Sequence, residues 1–174
     1  PMKSIPFQHV TLTDGFFLAK EELNRKTTIH AVYDRFSETG RIGAFSFGFP
    51  KDDPIQPHFF WDSDVAKVME GMAYVAKDSP EIAEELDKLV DLVISAQQPD
   101  GYLNTHFTVI EKEKRFQDLT MLHELYCAGH LTEAAVAHFQ ATGNRKFLDA
   151  MCRYCDYICE TFGENGIPGY PGHE

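Results

Sequence analysis

Apolar residues recur at helical spacing through most of this chain, and the breaks in that spacing divide it into segments. Residues 1–12 alternate loosely, with Phe7, Val10 and Leu12 among polar neighbours. That pattern predicts a short strand ending at Thr13-Asp14-Gly15. From Phe16 to about Ser37 a helix is expected, with Phe17, Leu23, Ile29, Val32 and Phe36 as its larger apolar members. Thr39-Gly40 stops it, because glycine just past a helix accepts a left-handed conformation that other residues resist. Residues 41–59 hold Gly43, Gly48, Pro50, Pro54 and Pro57 and no helical period, while Phe45, Phe47 and Phe49 alternate. So many aromatics predict a structured loop that packs on something, not a linker.

A helix is next expected from Asp62 or Ser63, either of which can cap first-turn amides. Val65, Val68, Met69, Met72 and Val75 or Ala76 form its apolar series. Ser79-Pro80-Glu81 starts another in the expected order of cap and then proline, with Ile82, Leu86, Leu89, Val90 and Val93 as the buried stripe. Pro99-Asp100-Gly101 ends that run with turn chemistry. After the charged loop Glu111 to Arg115, one long helix is predicted from about Gln117 to Ala141. Its centre, Ala128 to Phe139, is apolar on nearly every side, which predicts burial against several neighbours. A more polar helix follows from about Arg145 to Phe162, with Phe147, Met151, Tyr154, Cys155 and Ile158 on one buried face. Gly163 to Glu174 reads as loop.

The elements pair as 62–77 with 80–97 and 117–141 with 145–162. An all-round apolar helix followed by a one-sided one is the signature of inner and outer helices in two concentric rings. The fold class read here is all-α: a partial (α/α)6 barrel of about five helices with a short N-terminal strand. Residues 1–59 make the strand, first helix and structured loop, and residues 60–174 the helix-pair portion of one incomplete domain. A closed ring of six pairs needs on the order of 300 residues, and this chain has 174.

Composition narrows the function. Hydrophobic residues at 43% and charged residues at 25% are globular proportions. A net charge of -11 without a basic stripe argues against nucleic acid as a partner. No apolar run approaches the roughly 18 residues that span a bilayer, and residues 1–6 have no signal-peptide core, so no membrane partner is expected. Cys127, Cys152, Cys155 and Cys159 do not resemble a disulfide framework, and thiols outside disulfides suit a reducing, cytoplasmic location.

Candidate chemistry concentrates in His123-Glu124-Leu125-Tyr126-Cys127-Ala128-Gly129-His130. His123 and His130, seven apart on one helix, are expected on the same face. They admit three readings: histidines satisfied within a buried helix, sugar or substrate ligands with Gly129 allowing close backbone approach, or a Cys/His metal pair. Cys152, Cys155 and Cys159 read as core packing, with a zinc site as the less favoured alternative. Trp61-Asp62-Ser63-Asp64 offers carboxylates beside the only tryptophan, suited to a sugar, although helix capping is the simpler role. Gln97 to Asn104 reads either as a pocket mouth or as a plain turn. Glu124 and Glu133 are nine apart and are expected on similar faces, and most glycosidases use a pair of carboxylates. Their separation in space is not set by the sequence, and a buried glutamate also serves to anchor loops, so neither is named as a catalyst.

Taken together, Phe60 to Lys67, Gln97 to Asn104, His123 to His130 with Glu133 to Ala137, Gln140 to Gly143, and Gly172-His173 resemble the N-terminal part of glycoside hydrolase family 127, the β-L-arabinofuranosidase family. The resemblance implies an (α/α)6 barrel followed by β-rich domains, and release of terminal β-L-arabinofuranose with retention. It implies a zinc-held cysteine nucleophile and a glutamate acid/base, all lying downstream of the residues matched here, so no catalytic or metal residue is expected in this chain. Zinc is expected in the missing C-terminal part of the parent protein. His130 and His173 match sugar-contacting histidines; Glu174 follows His173 directly, where the family continues Gly-His-Pro-Glu. The expected partners are therefore an arabinofuranoside-type carbohydrate and the remainder of the barrel or a complementary chain. A non-catalytic helical module that binds sugar or is completed by a partner is the alternative.

Overall fold

A computed structural model describes residues 3, 5–49, 54–164 and 166. Helix α1 (Gly15–Leu23) runs through a π-helical segment (Asn24–Thr28) into α2 (Ile29–Glu38). A 3-10 turn (Gly43–Ser46) leads towards α3 (Trp61–Val75), and α4 (Pro80–Ser95) follows. Two short helices, α5 (His106–Val109) and α6 (Leu119–Leu122), interrupt the passage to α7 (Glu124–Thr142) and α8 (Lys146–Thr161).

Helices α3 and α7 pack on each other most extensively, with α4 behind α3, α8 behind α7 and α4 touching α8. Two inner helices backed by two outer ones are part of an (α/α) barrel. Along α3, Val65, Val68, Met69, Met72 and Val75 are buried as their spacing predicts, and so is Ala76 just past its end. The five-residue stripe of α4, from Ile82 to Val93, is likewise buried in full. Ala66, Ala73, Ala128, Ala134 and Ala135 are also fully packed, and side chains this small let helix backbones approach closely. Larger volume comes from Phe45, Phe107, Phe147, Leu131 and Met151.

Several expectations are corrected. Among the described residues there is no strand: Phe7–His9 forms a 3-10 turn, and the segment after it lies on the helices through Phe7 against Tyr74 (ring centroids 4.9 Å) and Lys77 Nζ bonded to the Val10 carbonyl (3.0 Å). Helix α1 leaves Phe16, Phe17 and Leu23 exposed. The long 117–141 helix is broken at His123, which adopts φ 52° between α6 and α7. Burial of α7 is not all-round. Tyr126, Gly129, Glu133, Val136 and Gln140 are exposed along one side at heptad spacing. On α8, Phe147, Met151 and Tyr154 are buried, but Cys152, Cys155 and Cys159 are exposed and do not pack in the core. Each follows a core-facing position (Met151, Tyr154, Ile158) by one residue, which turns it about 100° away.

Two glycines fix loop geometry. Gly40 has φ 82°, and a Cβ there would stand 3.2 Å from the Phe49 ring. Gly101 has φ 93°, and a Cβ there would meet the Arg153 carbonyl at 2.7 Å. No described helix is long and apolar enough to cross a membrane.

Candidate functional site

Three of the segments singled out in the sequence, beginning at Phe60, Gln97 and His123, converge where α3 and α7 begin and the loop after α4 arrives. Asp62, in the first turn of α3, does not cap its own helix; Phe60 occupies the cap without a side-chain bond. The carboxylate instead reaches the loop, where it accepts from the Thr105 N–H (2.8 Å) and the Thr105 hydroxyl (2.6 Å). Burial raises its pKa from 3.8 to about 6, against the lowering effect of those bonds and of His106. Ser63 does not cap either: its hydroxyl donates to the Phe60 carbonyl (2.8 Å). Trp61 is 8% exposed. It lies beneath Arg41, whose guanidinium is 5.1 Å above it and whose Nε donates to Asp64 (2.9 Å). A tryptophan this covered is no platform for a sugar.

The loop from Gln97 to Thr105 is more than a plain turn. Gln97 donates to the Gly101 and Ala150 carbonyls (2.9 and 2.7 Å) and accepts from Arg153, joining loop to α8. Residues 101–105 are buried. The Tyr102 hydroxyl donates to Glu124 Oε1 (2.5 Å), and the Phe116 N–H donates to Glu124 Oε2 (2.5 Å). Arg115 stacks 3.8 Å above the Tyr102 ring. Tyr102 is held far above the ordinary phenol range, first by burial and then by Tyr154 and Glu124. Glu124 is thus a loop anchor with no exposed surface. Glu133 is largely exposed beside His130. Nine residues make about two and a half turns, so the two glutamates point to opposite sides of α7; the expectation of a shared face is wrong, and they form no carboxylate pair.

His123 is not on α7's face with His130, because it stands in the left-handed conformation before the helix starts. Its ring lies 5.7 Å from that of Tyr126, and Tyr126 packs edge-on to His130 at 4.5 Å. His130 is half-buried on the open side of α7, with Nδ1 3.0 Å from the Glu133 carboxylate. Leu125, Tyr126, Gly129, His130 and Glu133 line a cavity of about 480 Å³. Gly129 faces open space, so no second backbone comes close to it here. A neighbouring cleft of about 420 Å³ is lined by Phe60, Ser63, Asp64, Lys67, His123 and Tyr126. A larger groove of about 500 Å³, between the N-terminal segment, α1, α2 and α3, is lined chiefly by apolar side chains such as Phe7, Val10, Ile29, Val32 and Val68. Its polar lining, Glu21, Asn24, Thr28, Lys67 and Lys77 among it, includes no histidine, whereas His123 and His130 line the two clefts.

His173 lies outside the described residues. Cys127 is buried, with its Sγ 3.5 Å from the Phe59 carbonyl, and serves packing. Among the described residues no group of three His, Cys, Asp or Glu is placed to hold a metal ion, so the cysteines of α8 do not fit a zinc site. Lys67 and Tyr126 were not picked out individually from sequence. Tyr126 sits inside the densest motif, whereas nothing local distinguishes Lys67 from a solvated surface lysine.

Paired inner and outer helices, with histidine, carboxylate, phenol and ammonium groups gathered near the start of the inner pair, define part of a barrel of the (α/α) class. The profile of the β-L-arabinofuranosidase GH127 catalytic domain matches residues 9–174, and the chain belongs to this family. It is 38% identical over 130 residues to a non-reducing end β-L-arabinofuranosidase of Bifidobacterium longum subsp. longum, covering 70% of this chain and 20% of that protein. The crystal structure of a GH127 β-L-arabinofuranosidase from Geobacillus stearothermophilus superposes with a TM-score of 0.88 at 43% identity, over 95% of this chain and 28% of that one. Another GH127 β-arabinofuranosidase gives 0.85 at 33% identity, over 98% and 29%. The chain therefore spans less than a third of the length of these relatives.

Proposed function

We propose that this chain is the N-terminal part of a retaining β-L-arabinofuranosidase and contributes one wall of its sugar pocket. The observation that carries the reading is the placement of His130. It stands on the open side of an inner helix, in a cavity, beside the open heptad stripe that a further helix pair would cover. In this reading His130 and His173 contact the terminal arabinofuranose. In the same reading the nucleophile, the acid/base and the zinc belong to the rest of the barrel, as the family resemblance implies. Glu124 is excluded as a proton donor to substrate by its complete burial. Four cysteines outside any disulfide, three of them exposed, support a reducing compartment and hence the cytoplasm.

The test is complementation. The 174-residue protein alone should not hydrolyse an aryl β-L-arabinofuranoside, a chain carrying the remaining barrel should restore hydrolysis, and His130→Ala should abolish it. Turnover by the chain alone, or a stable monomer that no complementary chain activates, would refute the proposal; the second result would favour a non-catalytic module.

A further inference from the structure

Glu133 follows His130 by three residues on α7 and has no role in that reading. We propose that it is a positioning residue: it fixes the tautomer of His130, placing the ring hydrogen on Nδ1 so that Nε2 accepts a hydrogen bond from a sugar hydroxyl. The proposal rests on reading His130 as a sugar ligand. Both side chains line the cavity of about 480 Å³, and Glu133 Oε2 stands 3.0 Å from His130 Nδ1. Their i, i+3 spacing makes them neighbours on the helix surface. Tyr126, one turn earlier, packs edge-on against the His130 ring (4.5 Å) and holds its plane.

Each ring nitrogen is limited by what it faces. Nδ1 is shut off from water and makes no aligned hydrogen bond, so the carboxylate is its polar neighbour. A lone pair on Nδ1 would confront an oxygen that only accepts, with no water between to screen the repulsion; a hydrogen there is attracted instead. In neutral imidazole one nitrogen donates and the other accepts, and the partner of one sets the role of the other. Nε2 is thereby left as the ring's acceptor. Neighbours that could compete for Glu133 are engaged elsewhere. Tyr74, which shares a cavity of about 260 Å³ with it, gives its hydroxyl to Glu70 (2.5 Å), and Lys67 donates to the Tyr126 hydroxyl (2.8 Å). The Glu133 side chain is 62% exposed, so the pair adds little to stability. Its consequence is which nitrogen carries the hydrogen, a choice that a small bias decides.

Long-range 1H–15N correlation spectra of the 174-residue protein at about pH 8.5, above the ordinary histidine range, report the tautomer. Calorimetric titration with methyl β-L-arabinofuranoside reports its use. The wild type should carry the His130 hydrogen on Nδ1. Glu133→Met, of similar length but without an acceptor, should give mixed tautomers and weaken binding about threefold, the factor by which the competent form falls. Glu133→Lys presents a donor, so it should move the hydrogen to Nε2 and weaken binding about tenfold; the glycoside is neutral, so the added charge does not by itself account for a loss. A residue that only supported the fold would change affinity without moving the hydrogen. A wild-type hydrogen on Nε2, or a tautomer or an affinity that neither variant changes, overturns the positioning role and leaves the His130 assignment standing. Full affinity in His130→Ala, or no saturable binding by the wild type, overturns both.

Discussion

The buried Asp62 carboxylate gives the fold a pH dependence that one substitution should remove. In the unfolded chain its pKa is 3.8, and burial raises it to about 6. Between those values the folded protein holds a proton that the unfolded chain has released. Stability from this group is therefore complete below about pH 4 and is lost as pH rises through about 6. The rise corresponds to about 3 kcal/mol, a large share of the 5–15 kcal/mol typical of a domain. Asp62→Asn keeps the shape and stays neutral: its carbonyl accepts from the Thr105 N–H, and its amide donates to the Thr105 hydroxyl, which turns to accept. Urea unfolding followed through the far-ultraviolet circular dichroism and the single Trp61 should show the variant close to the wild type at pH 4. By pH 7 the variant should be about 3 kcal/mol more stable. Other titrating groups contribute equally to both proteins and cancel in the difference. Asp62→Ala should instead cost about 1–3 kcal/mol even at pH 4, because the buried Thr105 N–H loses its acceptor. Parallel wild-type and Asp62→Asn curves from pH 4 to 7 would refute the reasoning.

With Ellman's reagent, Cys152 and Cys159 should react fast in the folded protein, Cys155 more slowly because burial pushes its thiol up, and Cys127 only on unfolding; four fast thiols would contradict the placement of Cys127. Gly101→Ala should lower stability by about 1–3 kcal/mol, since alanine resists φ 93° and its Cβ would meet the Arg153 carbonyl; an unchanged Tm would contradict that packing. Burial holds the His138 imidazole below 6.5 despite Asp87 nearby, so it favours the fold above pH 6.5 and loses that contribution as pH falls. An NMR titration of His138 with its midpoint above 6.5 would reverse the sign.

What could be read from the sequence was local, and what could not depended on distant partners. The buried stripe of α4 was legible because a one-sided pattern at helical spacing fixes its own inward face. The break at His123 was not, because residues on both sides of it carry helix-compatible patterning and only a left-handed φ separates them. The roles of Asp62 and Glu124 were not legible either. A carboxylate near a helix start suits a cap, a catalyst or an anchor equally, and the choice here is made by Thr105 and by Tyr102, which are 43 and 22 residues away. The apolar centre of α7 is the more instructive case. Its composition predicted neighbours on every side, yet Gly129, Glu133 and Val136 within it, and Tyr126 and Gln140 just beyond its ends, face outward. Of these only Tyr126 and Val136 are large and apolar, each 38% exposed; the others are small or polar. The open side is thus not a core face awaiting an apolar partner along its whole length. It mixes large apolar positions with small and polar ones, so no single kind of partner surface would cover it from end to end.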